Sequence, residues 1–284
     1  MKRIKIITDS ASDITRDMSE ELDICVLPLT ISFGEEQYLD FVELTADQFV
    51  ELLKTKNVLP KTSMVSSFCV QEAIEKYSSE YDEVLYITIS EGISGTYEGA
   101  KKAMENVKKE TGRDNITIYN SNTFSIGQAM LVKLASEMAV IGNSVSNIIN
   151  KLNEVRKTQR CFFVLDDLSY VRAGGRISAA EAMIGSILDI KPIFEINQAG
   201  KPAVITKARG INRTLEKITQ LIAKEVKGKL DEVWFIHCDG LSFVERLEKL
   251  VEEQFKPAKT YLCKARGCIG THGGPGLFGI CYFI

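Results

Sequence analysis

The chain has 284 residues, with 35 lysines and arginines against 38 aspartates and glutamates, which gives a formal net charge of -3 at pH 7. A chain of this length usually exceeds a single hydrophobic core, so we expect two lobes. The near-neutral balance, without a long block of like charges, argues against nucleic acid as a partner.

The N-terminal half alternates short apolar runs with helical patterns, which is typical of an α/β protein. Its predicted strands lie at residues 3–8, 23–33, 84–90 and 115–120. Its predicted helices lie at residues 13–21, 45–54 and 68–81, with two more that end near residues 109 and 141. Thr45 and Gln48 form a capping box at the start of the second helix. Because polar turns follow successive strands and open helices, we expect an open, mostly parallel sheet flanked by helices.

The pattern changes after a polar helix predicted over residues 146–160. The later predicted elements are a strand from residue 161, a hairpin of residues 193–197 and 203–208 with a glycine turn, helices at residues 212–227 and 243–255, and strands at residues 232–238 and 259–264. We therefore predict an N-terminal α/β domain over residues 1–160 and a C-terminal α/β domain with a β-hairpin over residues 161–284. The last strand and the region 55–80 are the two segments that could cross between the lobes.

Composition also bears on location and on metals. No apolar stretch approaches the roughly 18 residues that span a bilayer, and the first apolar run is too short for a signal peptide, so we expect a cytoplasmic protein. The seven cysteines are scattered without a CxxC pair, which favours buried, reduced thiols over a metal site or disulfides. We expect neither a metal nor a cofactor.

The motifs of common nucleotide and hydrolase sites are missing. The chain has no GxxxxGK[S/T] loop, and SGTYEG (94–99) lacks the GxGxxG spacing. The sequence around Ser94 misses the GxSxG elbow of a serine hydrolase by one residue, because Gly95 lies one position too early. Cys268 lies close to His272 in sequence, but nearness in sequence is no evidence for a catalytic pair.

Polar turns at strand ends or helix starts are predicted at residues 8–12, 61–67, 93–99 and 271–276. Hydroxyls and backbone amides at such turns can hold an anionic head group, and an open parallel sheet aligns them along one edge. The alternative is that each turn only caps a helix. The candidate ligand-binding residues in these turns and in the turn after residue 120 are Thr62, Ser63, Ser94, Gly95, Thr96, Ser121 and His272.

Arginines beside flexible backbone form the other polar signal. Arg172 and Arg176 flank a Gly-Gly pair, and Arg209 closely follows Lys207 after the glycine turn. Arginine side chains bind carboxylate and phosphate groups well. These three arginines are therefore candidates for a surface that faces a phosphate or a partner protein. The alternative is a solvated surface without a ligand. His237, inside an apolar strand, is interpreted as a core histidine with satisfied hydrogen bonds.

Taken together, these stretches resemble one family, the DegV proteins, which include the fatty-acid-binding subunits of bacterial fatty acid kinase. The matching stretches are IITDSASDI (6–14), TS (62–63), ISGT (93–96), FVLDDLSYVRAGGRIS (163–178), IKPIFEI (190–196), KARG (207–210) and GTHGGPG (270–276). They occur in the family's order and span nearly the whole chain. No single stretch is specific to this family, but all of them together are.

The resemblance implies two α/β lobes that enclose one long-chain fatty acid, such as palmitate, between them. It implies that the hydroxyls of Thr62 and Ser94 hold the carboxylate with His272 close by. It also implies that Arg176 and Arg209 lie on the side that docks a separate ATP-using kinase subunit. The protein would then be a carrier, not an enzyme, with transient contact to a membrane surface. The alternative is a stand-alone phosphotransferase or hydrolase that uses the strand-end hydroxyls and His272.

Overall fold

The computed structural model describes residues 2–176 and 189–284. The strands are β1 (Ile4–Asp9), β2 (Ile24–Leu27), β3 (Thr30–Phe33), β4 (Glu36–Leu39), β5 (Lys61–Ser63), β6 (Glu83–Thr88), β7 (Ile116–Asn120), β8 (Gln159–Val164), β9 (Ile190–Ile196), β10 (Pro202–Arg209), β11 (Glu232–Cys238), β12 (Lys259–Lys264) and β13 (Leu277–Phe283). The helices are α1 (Arg16–Glu21), α2 (Ala46–Thr55), α3 (Ser67–Glu80), α4 (Thr96–Thr111), α5 (Ile126–Val140), α6 (Val145–Thr158), α7 (Ser169–Gly174), α8 (Ile211–Glu225), α9 (Leu241–Phe255) and α10 (Gly267–Gly273). The last two residues of the 163–178 motif lie outside the described residues. No helix in the described ranges combines the length and the apolar content of a membrane span.

The first sheet is parallel, with the strand order β2-β1-β6-β7. Its two central strands, β1 and β6, are buried along almost their whole length, which the apolar run of β6 predicts, whereas β1 also buries the polar residues Lys5, Thr8 and Asp9. Parallel pairing places the carboxyl ends of all these strands along one edge. The turns that follow Asp9, Thr88 and Asn120 therefore lie along that edge, as predicted.

Residues 23–33, predicted as one strand, form two strands in two different sheets. Pro28 lies between β2 and β3. Because proline has no N–H to donate between strands, the hydrogen bonding of β2 with β1 ends before it. β2 pairs with β1, whereas β3 pairs antiparallel with β4 and β5 in a small sheet. This small sheet positions Thr62, which lies in β5.

The C-terminal sheet has the strand order β10-β9-β8-β13-β11-β12. β9 and β10 form the predicted antiparallel hairpin, whose turn contains Gly200 at φ +69°. The last strand, β13, lies antiparallel between β8 and β11, so it stays within this sheet. The segment that crosses toward the N-terminal lobe is α10, which packs against α2, β3 and β5. The domain division at residue 160 stays a prediction; β8, in the C-terminal sheet, begins at Gln159.

α5 lies between the two sheets. Its sequence, IGQAMLVKLASEMAV, is apolar on most sides, and it packs against β1 and β6 in one sheet and against β8, β11 and β13 in the other. A Cβ at Gly127 would lie 2.5 Å from Thr123 Oγ1 and 2.8 Å from Cys161 Sγ, so this close approach requires glycine. One continuous core therefore joins the two lobes.

Cys161 and Cys281 face each other across the β8–β13 pair and form a disulfide. The prediction that every thiol is reduced is wrong for this pair. The reason is strand register, which places two cysteines 120 residues apart side by side and which cysteine spacing does not reveal. Among the described cysteines that are free, Cys238, Cys263 and Cys268 are buried, as predicted, whereas Cys25 and Cys69 are only half-buried.

The carboxyl group of Asp13 joins three segments that are far apart in sequence. Its Oδ1 accepts a hydrogen bond from the backbone N–H of Arg266 at 2.7 Å, and its Oδ2 accepts one from the Ser125 hydroxyl at 2.7 Å. Asp13 is buried, and this burial raises the pKa of its carboxyl group to about 8. The loop after β1, the start of α5 and the start of α10 are thereby held together.

We expect Asp13→Ala to lower the free energy of unfolding by about 2 to 4 kcal/mol, because it leaves a buried hydroxyl and a buried N–H without their acceptor. Asp114, an exposed loop residue, is the matched control, and Asp114→Ala should change stability by less than about 0.5 kcal/mol. Chemical denaturation of both variants measures the difference. Equal stability of the two variants would show that the Asp13 contacts contribute nothing.

Burial of the Asp13 carboxyl group should make stability depend on pH with a defined sign, because burial raises its pKa more than its two hydrogen bonds lower it. Folding raises the pKa of Asp13 to about 8, so its stabilising effect is complete below about pH 4 and is lost as the pH rises through about 8. Asp13→Asn carries no titrating proton and can donate from its amide to Ser125. The unfolding free energy of this variant should fall less than that of the parent between about pH 5 and pH 9. A parallel fall in both proteins would contradict this account.

Candidate functional site

A cavity of about 240 Å³ lies beside the start of α5, with walls from both lobes. Most of its lining is apolar and includes Ile89 and Phe124 from the N-terminal lobe and Phe163, Phe194 and Leu277 from the C-terminal sheet. Phe163 stacks on Phe194 with ring centroids 6.2 Å apart, and Phe124 tilts against Phe163 at 5.5 Å. Such a lining fits an apolar ligand.

One part of the lining is polar and includes exposed residues. Thr62 Oγ1 and His272 Nε2 lie 2.9 Å apart there, although 210 residues separate them in sequence. Ser94 and Gly95, in the turn after β6, line the same cavity, and so does Arg176, which is exposed. The structure thus brings together five of the predicted residues from separate parts of the chain.

The imidazole of His272 is neutral near pH 7. Burial, with a smaller contribution from the positive charge of Arg176, lowers the pKa of His272 to about 4. Its Nδ1 is buried and has no hydrogen-bond partner among the described residues. Because an unpaired buried lone pair is tolerated better than an unpaired buried N–H, we assign the proton to Nε2, which then donates to Thr62 Oγ1. The Thr62 hydroxyl keeps its own hydrogen free to donate to a ligand oxygen.

Gly174, at the end of α7, makes room for the His272 ring. A Cβ at this position would lie 2.1 Å from His272 Nδ1, so a larger residue would displace the ring from Thr62. Gly175 follows at φ +66°, a conformation that favours glycine, and has open space around its Cβ position. The first glycine is therefore explained by contact with the ring, and the second by the turn of the backbone.

Ser94 lies where the turn of residues 93–99 becomes α4. Its Oγ lies 3.0 Å from Thr96 Oγ1 and accepts a hydrogen bond from the Thr96 N–H at 3.3 Å. Thr96 itself is buried and does not line the cavity. Ser94 therefore supports the helix start and also faces the cavity, where the positive end of the α4 dipole favours an anionic group.

Two of the predicted ligand-binding serines lie outside the cavity lining. Ser63 is exposed beside Thr62. Ser121 is fully buried, and its hydroxyl donates to the carbonyl oxygen of Thr123 at 3.0 Å. Ser121 therefore stabilises the turn and does not contact a ligand, because its hydroxyl hydrogen is already donated within that turn.

The three predicted arginines are not brought together. Arg176 lines the cavity and donates to the carbonyl oxygen of Gly174 at 2.6 Å and to that of Ile93 at 3.4 Å. Arg172 is exposed and does not line the cavity. Arg209 lines a different surface pocket. Of the three, Arg176 is the one that can face a head group in this cavity.

His237 is buried, as predicted, but its hydrogen bonding is not satisfied. It is 7% exposed, and its Nδ1 has no hydrogen-bond partner in the described part of the chain. Burial and the nearby Lys264 lower its pKa. Within residues 2–176 and 189–284, no group of three or more histidines, cysteines, aspartates or glutamates lies where it could hold a metal ion.

Ser125 lines the cavity, and no sequence pattern singles it out. Its hydroxyl donates to Asp13, and its backbone has φ 57° and ψ -143°, an uncommon conformation for a residue with a side chain. Because 112 residues separate it from Asp13, a local pattern cannot report the contact. The indirect signal is that both residues lie near the ends of strands that a parallel sheet aligns.

Comparison with known proteins agrees with this fold. A family model described as "Uncharacterised protein, DegV family" matches residues 3–284. A DegV domain-containing protein from Clostridium acetobutylicum is 31% identical over 286 residues, which cover 100% of this chain and 99% of that protein. The crystal structure of DegV, a fatty acid binding protein from Bacillus subtilis, covers 100% of both chains with a TM-score of 0.89 at 31% identity.

A second solved structure, reported for fatty acid binding of a DegV family protein from Thermus thermophilus, has a TM-score of 0.90 at 26% identity. It covers 99% of this chain and 100% of that one. The order of elements and the packing of the two sheets are therefore shared along the whole length. Since the family model and relatives above 30% identity match nearly every residue, this chain belongs to the DegV family.

Proposed function

We propose that this protein binds one long-chain fatty acid, with the tail in the apolar cavity and the carboxylate beside Thr62, Ser94 and His272. The observation that carries the proposal is the 2.9 Å contact between Thr62 and His272 at the polar part of an otherwise apolar cavity. The Bacillus subtilis and Thermus thermophilus relatives are described as binding fatty acids, and that description supports the proposal.

Burial of the tail supplies most of the affinity in this proposal. Each buried methylene contributes about 0.8 kcal/mol, so roughly 15 methylenes give at most about 12 kcal/mol before the cost of ordering. A charged carboxylate in the same cavity is costly unless it is hydrogen-bonded. The hydroxyls of Thr62 and Ser94 and the positive end of α4 offset that cost and fix the orientation of the ligand.

We infer that the protein is a carrier, not a catalyst, and presents the carboxylate to a separate ATP-using kinase subunit. The cavity lining includes exposed Met64, Gly95 and Arg176, so a carboxylate held near them would lie close to the surface. A phosphoryl donor on a partner could reach it there, and the arginine charge would help to orient that partner. The exposed side chains of Met64 and Phe68 suit brief contact with a membrane surface during exchange.

Extraction of the purified protein tests the proposal directly. The protein is denatured and extracted with organic solvent, and the released lipid is identified by mass spectrometry. We expect close to one long-chain fatty acid for each chain, or saturable uptake of added palmitate by protein purified without lipid. Absence of both would refute the proposed function.

We expect Thr62→Val and Ser94→Ala each to weaken fatty-acid binding by about 1 to 3 kcal/mol, because each removes a hydroxyl that donates to the carboxylate. Ser63→Ala is the matched control, since Ser63 neighbours Thr62 but is exposed outside the lining. Titration with a fluorescent fatty acid, beside melting temperatures, measures the effect. If the first two variants bind like the parent, the carboxylate is held elsewhere.

We expect Gly174→Ala to weaken binding roughly tenfold, because the added Cβ displaces the His272 ring from Thr62. Gly175→Ala is the control: it strains a positive φ but meets open space, so it should lower the melting temperature and leave affinity unchanged. NMR signals of the His272 ring report its displacement. If the ring is displaced and the affinity for fatty acid stays equal to that of the parent, His272 does not take part in binding the carboxylate.

We expect Arg176→Ala to leave the fatty acid bound but to slow its phosphorylation by a partner kinase, because exposed charges mainly govern encounter and orientation. Arg172→Ala is the matched control, an exposed arginine outside the cavity lining. A coupled kinase assay on lipid-loaded protein compares the two variants at several salt concentrations. Equal rates for the two variants would contradict a role of Arg176 in presentation.

A further inference from the structure

A second cavity, of about 350 Å³, lies at the carboxyl ends of the parallel strands β11 and β12. We call it the α9 cavity; its polar lining consists of Asp47, His237, Asp239, Ser242 and Lys264. It shares no lining residue with the fatty-acid cavity. The carboxyl ends of parallel strands are a common place for ligands, and this volume is within the usual range of ligand pockets.

His237 is the first observation that points to a ligand. It lines the α9 cavity, it is 7% exposed, and its buried Nδ1 has no partner in the described part of the chain. Burial and Lys264 lower its pKa, so the ring is neutral near pH 7 and carries one proton. A proton on Nδ1 would be a buried donor without an acceptor, so the proton belongs on Nε2. Nε2–H is then a donor available to a group in the cavity.

The start of α9 is the second observation. The N-cap of this 15-residue helix is Gly240, and no side chain among the described residues caps it. The N–H groups of Phe243 and Val244 bond to the Gly240 carbonyl oxygen. Helix geometry leaves the preceding N–H groups, those of Leu241 and Ser242, without intrahelical acceptors. Free N–H groups and the positive end of a helix dipole favour an anion.

The charged residues that line the α9 cavity are held in ion pairs. Lys264 contacts Asp47 at 2.7 Å, and Asp239 is paired at 2.8 Å with Lys54, which lies outside the lining. The side chains of the first pair are 54% and 76% exposed, and such exposed pairs contribute little to stability. A phosphate dianion that binds Lys264 in place of Asp47 therefore breaks an ion pair that contributes little free energy. The imidazole N–H and the start of α9 favour a negative charge in the cavity, whereas the carboxylates of Asp47 and Asp239 in the lining oppose one.

We propose that the α9 cavity binds the phosphoryl group of inorganic phosphate or of a small phosphate monoester. The donors are the N–H groups of Leu241 and Ser242, the Ser242 hydroxyl, the His237 Nε2–H and the Lys264 ammonium group. They are more numerous than the two oxygens of a planar carboxylate can use, whereas a phosphate offers three or four oxygens. The proposal is independent of the fatty-acid site, because none of these residues lines it.

Titration of the isotope-labelled full-length protein tests this proposal. Inorganic phosphate and glycerol phosphate are added separately at low ionic strength, and backbone amide shifts and heats of binding are recorded. We expect saturable binding with shifts at Leu241 and Ser242. Lys264→Ala should weaken it about tenfold, and Ser242→Glu, which places a negative charge at the helix start, should abolish it. Lys264→Met replaces Lys264→Ala if the alanine variant melts early.

Lys259→Ala is the matched control. Lys259 is exposed on the same strand as Lys264 but at its opposite end, so its loss changes the net charge equally and should leave binding intact. Tighter binding of glycerol phosphate would identify the ligand as a monoester, and equal or tighter binding of inorganic phosphate would identify the free ion. No saturable shift at Leu241 and Ser242, or equal weakening by the Lys259 and Lys264 variants, would overturn the proposal.

Discussion

Three distant segments of this chain meet around the buried carboxyl group of Asp13. In the described structure, the Ser125 hydroxyl and the Arg266 backbone N–H each donate a hydrogen bond to the Asp13 carboxyl group, which is buried. Asp40 repeats the arrangement nearby, where its two oxygens accept the first N–H groups of α10. The start of α10, which belongs to the C-terminal half of the sequence, is thus fixed by two carboxyl groups from the N-terminal half.

The ligand site depends on this anchoring. α10 has seven residues, and a helix that short does not keep a fixed position by itself. With its first turn anchored, its last turn places His272 against Thr62 on one side and against Gly174 on the other. The imidazole is thereby desolvated and neutral, which makes it a donor to Thr62 and leaves the threonine hydroxyl to donate in turn.

Local features of this protein could be predicted from the sequence, whereas contacts between distant segments could not. The capping box at Thr45, the β9–β10 hairpin and most of the longer strands and helices follow from patterns that span a few residues, whereas the short elements β4, β5, α7 and α10 were not predicted. The grouping of Thr62 with His272 followed from the family resemblance, because spacing alone also permits a simple helix cap or turn at each. The disulfide and the contact of Ser125 depend on strand register and on tertiary packing, which composition and periodicity do not report.

Neither half of this protein, in its present form, buries its apolar surface without the other half. α5 comes from the N-terminal half of the sequence, yet it covers part of the C-terminal sheet as well. A chain divided near residue 160 would leave an apolar face of the second piece open to water, where it would associate with other molecules.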